Sequence, residues 1–208
     1  GEGLWGGGGR AFPRVRGGGP GGEGVGTCPG GGSEFLGRRV LADAWIRDPD
    51  DPEDRDRAGY LGSERDGGFA QFCSVPAANV HPVDSAFSDV ELASFPCSWS
   101  TAEHMLTRSR LQAGETVVVT GASGGVGTAL VQLAKLRAAR VIAVTGAAKA
   151  GAVTALGADA VVDRAAADLA GAVADAVGGP AAVLAADPNS VQAGQRGAVG
   201  LPRTLQHN

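Results

Sequence analysis

The chain has 208 residues, of which 43% are apolar and 19% are charged, and its formal net charge is −4 at pH 7. This length suits one domain or parts of two, and the acidic balance argues against a nucleic-acid partner. No apolar run approaches the roughly 20 residues of a membrane span and no leader pattern is visible, so we expect no membrane contact and a cytoplasmic location. The three cysteines lack C-x-x-C spacing, which disfavours a disulfide framework and a structural zinc site.

The first third of the chain gives weak structural signals. Residues 1–34 contain 16 of the 35 glycines, and we expect them to be largely disordered because they bury too little apolar surface to offset their ordering entropy. A turn followed by a strand is predicted at residues 37–46, and a charged, irregular loop at residues 47–65. The alternating pattern of residues 67–75 predicts another strand.

Two helices are predicted next. Ser88 and Glu91 have the spacing of a capping box, so a short helix is expected to start after Ser88 and to run through Phe95. A second helix is predicted at residues 100–110.

After Glu115 the pattern changes to strands that alternate with helices, which indicates right-handed βαβ units on a parallel sheet. The predicted elements are strand 116–120, helix 125–136, strand 140–145, helix 147–156 and a short strand at 160–162. Residues 166–177 fit either a helix or a helix followed by a strand, and residues 189–208 lack a clear period.

A glycine-rich turn joins the first predicted strand of this series to its helix. Ala122, Gly124 and Gly127 occupy the three positions of the G-x-G-x-x-G fingerprint of dinucleotide-binding proteins. Small residues there allow a tight turn, a close approach of the pyrophosphate, and close packing of helix on strand. The helix N-terminus then supplies amide donors and a partial positive charge. The pattern therefore predicts a dinucleotide site.

The end of the second strand indicates which dinucleotide is bound. NAD sites usually carry an Asp or Glu there, which binds the ribose 2′-hydroxyl. Thr145, Gly146 and Lys149 provide no carboxylate, and a lysine can bind a 2′-phosphate instead. We therefore favour NADP(H) over NAD(H), with the alternative that Lys149 is an ordinary solvated helix residue.

These segments resemble the medium-chain dehydrogenase/reductase superfamily, the zinc-type alcohol dehydrogenases and quinone oxidoreductases. The resemblance runs from about Phe35 to Pro180 and is most specific at residues 114–127, followed by residues 132–135, 141–145 and 156–159. Upstream, residues 36–40 resemble the family's Gly-Asp-Arg-Val turn and residues 66–70 its Gly-Gly-Tyr-Ala-Glu strand. The resemblance implies an α/β fold: a partial Rossmann parallel sheet preceded by a remnant of a GroES-like β domain.

The same resemblance implies a domain organisation with departures from the family pattern. We expect a disordered segment at 1–34, a partial GroES-like catalytic domain at 35–108, a partial Rossmann NADP-binding domain at 109–187 and an irregular tail at 188–208. The family's Gly-His-Glu motif is not recognisable in residues 15–32, and a cysteine-free loop replaces the structural zinc lobe. After Pro180 the rest of the sheet is expected to be missing or scrambled, so the chain looks truncated at both ends.

The resemblance also implies roles for two residues of the predicted second helix region. Cys97 matches a catalytic zinc ligand, but the other two ligands that such a site needs cannot be identified, so zinc is not expected in this chain. Thr101 matches a threonine near the nicotinamide, with the alternative that it satisfies backbone donors at the helix start. The three histidines share no metal spacing.

We predict a hydride-transferring oxidoreductase of this family that acts on a small carbonyl, enone or alcohol substrate; the oligomeric state stays open, and a homo-oligomer fits. The alternative is an inactive, truncated remnant with at most dinucleotide binding. The short-chain dehydrogenases are disfavoured because the one tyrosine, Tyr60, precedes the glycine turn. No catalytic residue is assigned. The predicted cofactor-binding residues are Thr101, Gly121, Ala122, Ser123, Gly124, Gly125, Val126, Gly127, Thr145, Gly146 and Lys149.

Overall fold

The computed structural model describes residues 14–16, 24–30, 34–48, 50–54, 56–68, 72–185 and 196–197. Contacts divide the chain into two compact units, the first ending at Cys97 and the second beginning at Ser98. The sequence prediction places its boundary between residues 108 and 109, and its four-part division stays a prediction. Within the described ranges, no helix combines the length and apolar character needed to cross a bilayer.

The first unit is built from short antiparallel strands. They are β1 (Arg14–Arg16), β2 (Gly24–Gly30), β3 (Arg39–Ala42), β4 (Trp45–Ile46), β5 (Gly59–Tyr60), β6 (Cys73–Ser74) and β7 (Val80–Pro82). Five of them form one sheet in the order β6-β1-β2-β3-β7, and β4 pairs with β5 in a separate ribbon. A small cluster of buried apolar side chains supports this unit: Val40, Ala42, Ile46, Leu61, Val75 and Val80.

Two strands lie inside the glycine-rich region, where the sequence predicts no regular structure. β2 pairs with β1 on one side and with β3 on the other, so that backbone hydrogen bonds on both edges hold it in place. Such pairing needs no apolar periodicity in the strand itself, which explains why the pattern gives no signal. The prediction of disorder is therefore wrong for these two segments, and the rest of residues 1–33 lies outside the described part.

The charged loop at residues 47–65 is more ordered than predicted. It contains β5, and the Trp45 and Tyr60 rings, one on each strand of the ribbon, have centroids 4.6 Å apart. The Asp48 carboxylate is buried and accepts hydrogen bonds from the backbone N–H of Asp50 at 2.9 Å and from Arg57 Nη1 at 3.0 Å. These bonds lower the pKa of Asp48, the Asp50 N–H contributing most. The charged loop is therefore held in part by its own hydrogen bonds.

The predicted strand at residues 67–75 is shorter in the structure, where β6 spans Cys73–Ser74. Residues 69–71 of that prediction lie outside the described residues.

The capping box is confirmed. Ser88 N–H donates to Glu91 Oε2 at 2.8 Å, and Glu91 N–H donates to Ser88 Oγ at 3.3 Å. The helix that follows, α1 (Asp89–Ala93), ends before Phe95, which instead opens α2 (Phe95–Ser109). α2 therefore begins five residues earlier than the predicted Ser100. Pro96 is compatible with this start, because it falls in the first helical turn, where its missing N–H costs nothing.

The second unit alternates strands and helices, as predicted. Its elements are β8 (Thr116–Thr120), α3 (Gly125–Leu136), β9 (Arg140–Thr145), α4 (Ala150–Ala155), β10 (Ala160–Asp163), α5 (Leu169–Val177), β11 (Ala181–Ala185) and β12 (Arg196–Gly197). The predicted bounds of β8, α3 and β9 are confirmed. The predicted helix at residues 147–156 is a 3-10 turn, Ala147–Lys149, that continues into α4.

The sheet of this unit has the order β10-β9-β8-β11-β12, with β10 to β11 parallel and β12 antiparallel. Numbered within the unit, the parallel strands run third, second, first, fourth, which is the order of a Rossmann half-sheet. Alternate residues of β8 enter two separate cores. Val117 and Val119 pack with residues of α2, α3 and α4, while Val118 packs with Val173 and Val177 of α5.

The end of this unit decides one open alternative and corrects one expectation. Residues 166–177 contain one helix, α5, which is capped by Asp168 Oδ1 accepting from Gly171 N–H at 2.8 Å and which stops at Gly178 in the left-handed region. After Pro180 the sheet is not lost: β11 pairs in parallel with β8 over Ala182–Ala185. Outside β12, residues 186–208, which include the tail predicted at 188–208, lie beyond the described part.

Candidate functional site

The glycine turn (residues 121–127) connects the carboxyl end of β8 to α3. Gly121 takes a left-handed conformation with φ of 62°, which favours glycine because a Cβ is strained there. Gly124 N–H donates to Gly121 O at 2.9 Å and closes the turn, and Ala122 N–H donates to Val144 O at 3.2 Å. The second bond ties the turn to the neighbouring strand β9, so the ends of the first two strands are held together.

Gly127 is buried where α3 crosses the turn. A Cβ placed on it would lie 2.7 Å from Ala122 Cα and 2.8 Å from the Gly121 carbonyl carbon, and closer still to the Gly121 oxygen. All three atoms belong to the backbone, so no flexible side chain can move aside. The third position of the fingerprint is therefore restricted to glycine by the close packing of helix on turn.

The N-terminus of α3 is open to an anion. Gly124 is its N-cap, with extended backbone angles, and it provides no side-chain cap for the first amides. The amides of the first turn have no intrahelical acceptor, and the helix dipole gives this end a partial positive charge. Ser123, Val126 and Gly125 complete this turn, and a Cβ on Gly125 would lie 2.8 Å from Ser98 Oγ of α2. Glycine at this position leaves room for the Ser98 hydroxyl beside the helix start.

The end of β9 carries the residues predicted to select the dinucleotide. Thr145 is buried at the end of the strand, Gly146 follows with φ of −71° and ψ of 145°, and Lys149 is exposed. None of residues 145–149 is acidic. Sequence reasoning missed Arg164, which follows β10: its backbone N–H donates to Thr145 O at 2.9 Å. The signal that finds it is strand register, because Asp163 pairs with Thr145.

An ionic clasp lies at the opposite edge of the sheet, where β9 and β10 begin. Lys135 Nζ of α3 lies 2.9 Å from Asp159 Oδ2, and the same carboxylate oxygen accepts the Val141 backbone N–H at 2.7 Å. Partial burial raises the pKa of Asp159, but the bonds from Val141 N–H and Lys135 outweigh it and hold the pKa below its ordinary value. The clasp joins the end of α3 to the starts of β9 and β10.

The two residues assigned by resemblance lie on α2. Cys97 is exposed, and Thr101 is half-buried one turn after Ser98. Among the described residues there is no group of three or more His, Cys, Asp or Glu side chains arranged to hold a metal. Because a catalytic zinc site needs three protein ligands, the described residues do not fit zinc at Cys97, and we derive no chemistry through it. His104 is exposed on the same helix.

The chain is similar to several known dehydrogenases and reductases. No protein-family model matches it. The acryloyl-coenzyme A reductase of Metallosphaera sedula is 42% identical over 89 residues, which are 43% of this chain and 26% of that protein. A putative alcohol dehydrogenase of Sinorhizobium meliloti 1021 is 46% identical with a TM-score of 0.66, over 74% of this chain and 43% of that one.

Two further solved structures carry cofactor names in their descriptions. An NAD-dependent alcohol dehydrogenase is 25% identical with a TM-score of 0.71, over 81% of this chain and 59% of that one. The quinone oxidoreductase of Thermus thermophilus, described also in complex with NADPH, is 27% identical with a TM-score of 0.58, over 82% of this chain and 54% of that one. The chain thus spans less than two thirds of the length of each of these proteins.

The neighbours confirm the predicted fold class, a partial Rossmann sheet preceded by a GroES-like remnant. The strand order, the glycine turn and these relatives agree on one assignment. Over the part that it spans, the chain is similar to the medium-chain dehydrogenase/reductase superfamily.

Proposed function

We propose that the chain binds NADP(H) at the glycine turn and acts as an oxidoreductase on a small carbonyl, enone or alcohol substrate. The observation that carries the proposal is the contact at Gly127, where a Cβ would strike the backbone of Gly121 and Ala122. Packing this close brings the start of α3 directly over the end of β8, which is where Rossmann proteins hold a pyrophosphate. The similar acryloyl-coenzyme A reductase and alcohol dehydrogenase support the same activity.

The residues of the glycine turn would hold the pyrophosphate through main-chain groups. The first amides of α3 donate hydrogen bonds and its dipole favours a negative charge, so no cationic side chain is needed at this point. Gly124 has ordinary extended angles, and a Cβ there would lie 3.4 Å from Gly121 O, so the fold itself tolerates a side chain. The absence of one serves the approach of the phosphates.

The preference for NADP(H) rests on the end of β9. A carboxylate there would repel a 2′-phosphate, and residues 145–149 carry none. Lys149 adds a positive charge on the exposed side of the 3-10 turn. The similar structures include both an NAD-dependent enzyme and one in complex with NADPH, so the preference depends on these residues rather than on the relatives.

When bound, the nicotinamide supplies or accepts the hydride, and the protein's task is to hold it at reacting distance from the substrate. Thr101 is proposed to lie beside the nicotinamide, by its match to the family threonine. The donor that stabilises a developing oxyanion on the substrate is unassigned. The competing proposal is a chain that binds the dinucleotide at the same turn without catalysis. Only a measurement of turnover distinguishes it from ours.

Fluorescence titration of the purified full chain with NADPH and NADH tests the proposal. We expect saturable NADPH binding, and a loss of about tenfold or more in Gly124→Ala, since a methyl group there obstructs the phosphates. Gly151→Ala is the matched control, because a Cβ at Gly151 meets no atom within 4 Å. Absence of binding by the folded wild type would refute the proposal. Binding without oxidation of NADPH by any quinone, enone or aldehyde tried would favour the non-catalytic alternative.

A further inference from the structure

Arg164 is fixed next to the residues proposed to select the cofactor. β10 and β9 are parallel and in register, with Asp163 opposite Thr145, so that the two strands end level. Arg164 N–H donates to Thr145 O at 2.9 Å, and Ala166 N–H donates to Asp163 O at 3.1 Å. Hydrogen bonds therefore hold the backbone on both sides of Arg164, and one of them goes to Thr145, the last residue of β9.

The Arg164 side chain lies over Gly146. A Cβ placed on Gly146 would lie 3.6 Å from Arg164 Nε, which is an ordinary van der Waals contact. Because glycine has no Cβ, the side of the Arg164 guanidinium that faces residue 146 is not covered by a side chain from that residue. Arg164 and Lys149 are both exposed, and neither belongs to an ion pair among the residues that the structure describes. The nearest acid in sequence, Asp163, accepts a hydrogen bond from Ala165 N–H at 3.0 Å.

Arg164 therefore lies beside Gly146 at the carboxyl edge of the sheet, and Lys149 follows on the same turn as Gly146, where its backbone N–H donates to Gly146 O at 2.9 Å. We propose that Arg164, together with Lys149, binds the 2′-phosphate of NADP(H) and is the main determinant of its preference over NAD(H). A guanidinium offers a planar fork of donors that matches two phosphate oxygens, whereas a ribose hydroxyl gives it no charge to pair with. This inference rests on the proposed function, because it requires the dinucleotide to lie across the glycine turn.

The test compares the affinities of wild type and Arg164→Gln for NADPH and NADH, and for two fragments without nicotinamide, adenosine 2′,5′-bisphosphate and adenosine 5′-monophosphate. Loss of a charge-assisted hydrogen-bond pair predicts a drop of about 10–100-fold for NADPH and the bisphosphate. NADH and the monophosphate should change by less than about twofold. Arg108→Gln, at an exposed arginine of α2, is the matched control and should leave all four affinities unchanged.

A second pair of variants tests the cofactor preference without removing the Arg164 side chain. Gly146→Asp puts a carboxylate beside the Arg164 guanidinium, at a position whose backbone angles suit any residue, and Gly146→Ala adds the Cβ alone. Gly146→Asp should weaken the binding of NADPH and shift the preference toward NADH. Gly146→Ala should keep the wild-type preference for NADPH over NADH. If the ratio of the affinities for NADPH and NADH is unchanged in Arg164→Gln, or both affinities fall equally, the role of Arg164 is overturned while the proposed function stands. A wild type that binds neither dinucleotide, or that prefers NADH, overturns the proposed function itself.

Discussion

The two units of this chain are stabilised in different ways. In the second, the valines of β8 alternate between two apolar cores, one under α2, α3 and α4 and the other under α5. In the described part of the first, six buried apolar residues form one small cluster. Much of its order comes from polar contacts such as Asp48 with Arg57, and Asn79 Nδ2 donating to Trp45 O at 2.9 Å. The unit with the continuous cores is also the one that carries the candidate site.

This contrast predicts unequal losses from the same core substitution. Leu130 of α3 is fully buried and Leu61 of the first unit is 5% exposed. Leu130→Ala should reduce the free energy of unfolding of the second unit by about 2–5 kcal/mol, and Leu61→Ala that of the first by about 2 kcal/mol or less. Native-state hydrogen exchange of β8 and β3 amides measures the two units separately. Equal losses would show that the two cores are not different in kind.

The next effect concerns the glycine turn within the second unit. Gly127→Ala forces a methyl group against the backbone of Gly121 and Ala122, so α3 must shift away from β8 at a cost of about 1–3 kcal/mol or more. Chemical denaturation followed by circular dichroism measures the loss. Gly151→Ala, whose Cβ points into open space, should be neutral or slightly stabilising because alanine favours the helix. A Gly127→Ala protein as stable as Gly151→Ala would contradict the close packing.

The smallest predicted effect is the pH dependence of the Asp159 clasp. Because its pKa is lowered in the folded chain, Asp159 contributes stability above its ordinary value of 3.8, and this contribution is lost as pH falls through the folded pKa. Wild type should therefore exceed Asp159→Asn in stability at pH 6, and the two should converge as the pH falls below about 4. Exposed Asp175→Asn is the control. If the stability difference between wild type and Asp159→Asn persisted unchanged at pH 3, the ionised Asp159 carboxylate would not be its source.

The same contrast explains what the sequence could predict. The bounds of β8, α3 and β9 follow from apolar runs and a glycine punctuation that act locally. β1 and β2 escaped prediction because pairing with distant strands, rather than their own side chains, holds them. Arg164 escaped because its place beside Gly146 depends on the register of β10 against β9, which no local pattern encodes. Side chains brought together by strand pairing need the fold first.

Amide hydrogen exchange of the full chain, with and without saturating NADPH, tests the central claim most directly. Free α3 offers first-turn amides with no helical acceptor, and a bound pyrophosphate would accept hydrogen bonds from them. We predict slower exchange at residues 125–127 on adding NADPH, and no change in β3 (Arg39–Ala42) of the first unit. Protection confined to other segments, or none at a concentration that saturates the fluorescence signal, would show that the glycine turn is not where the dinucleotide binds.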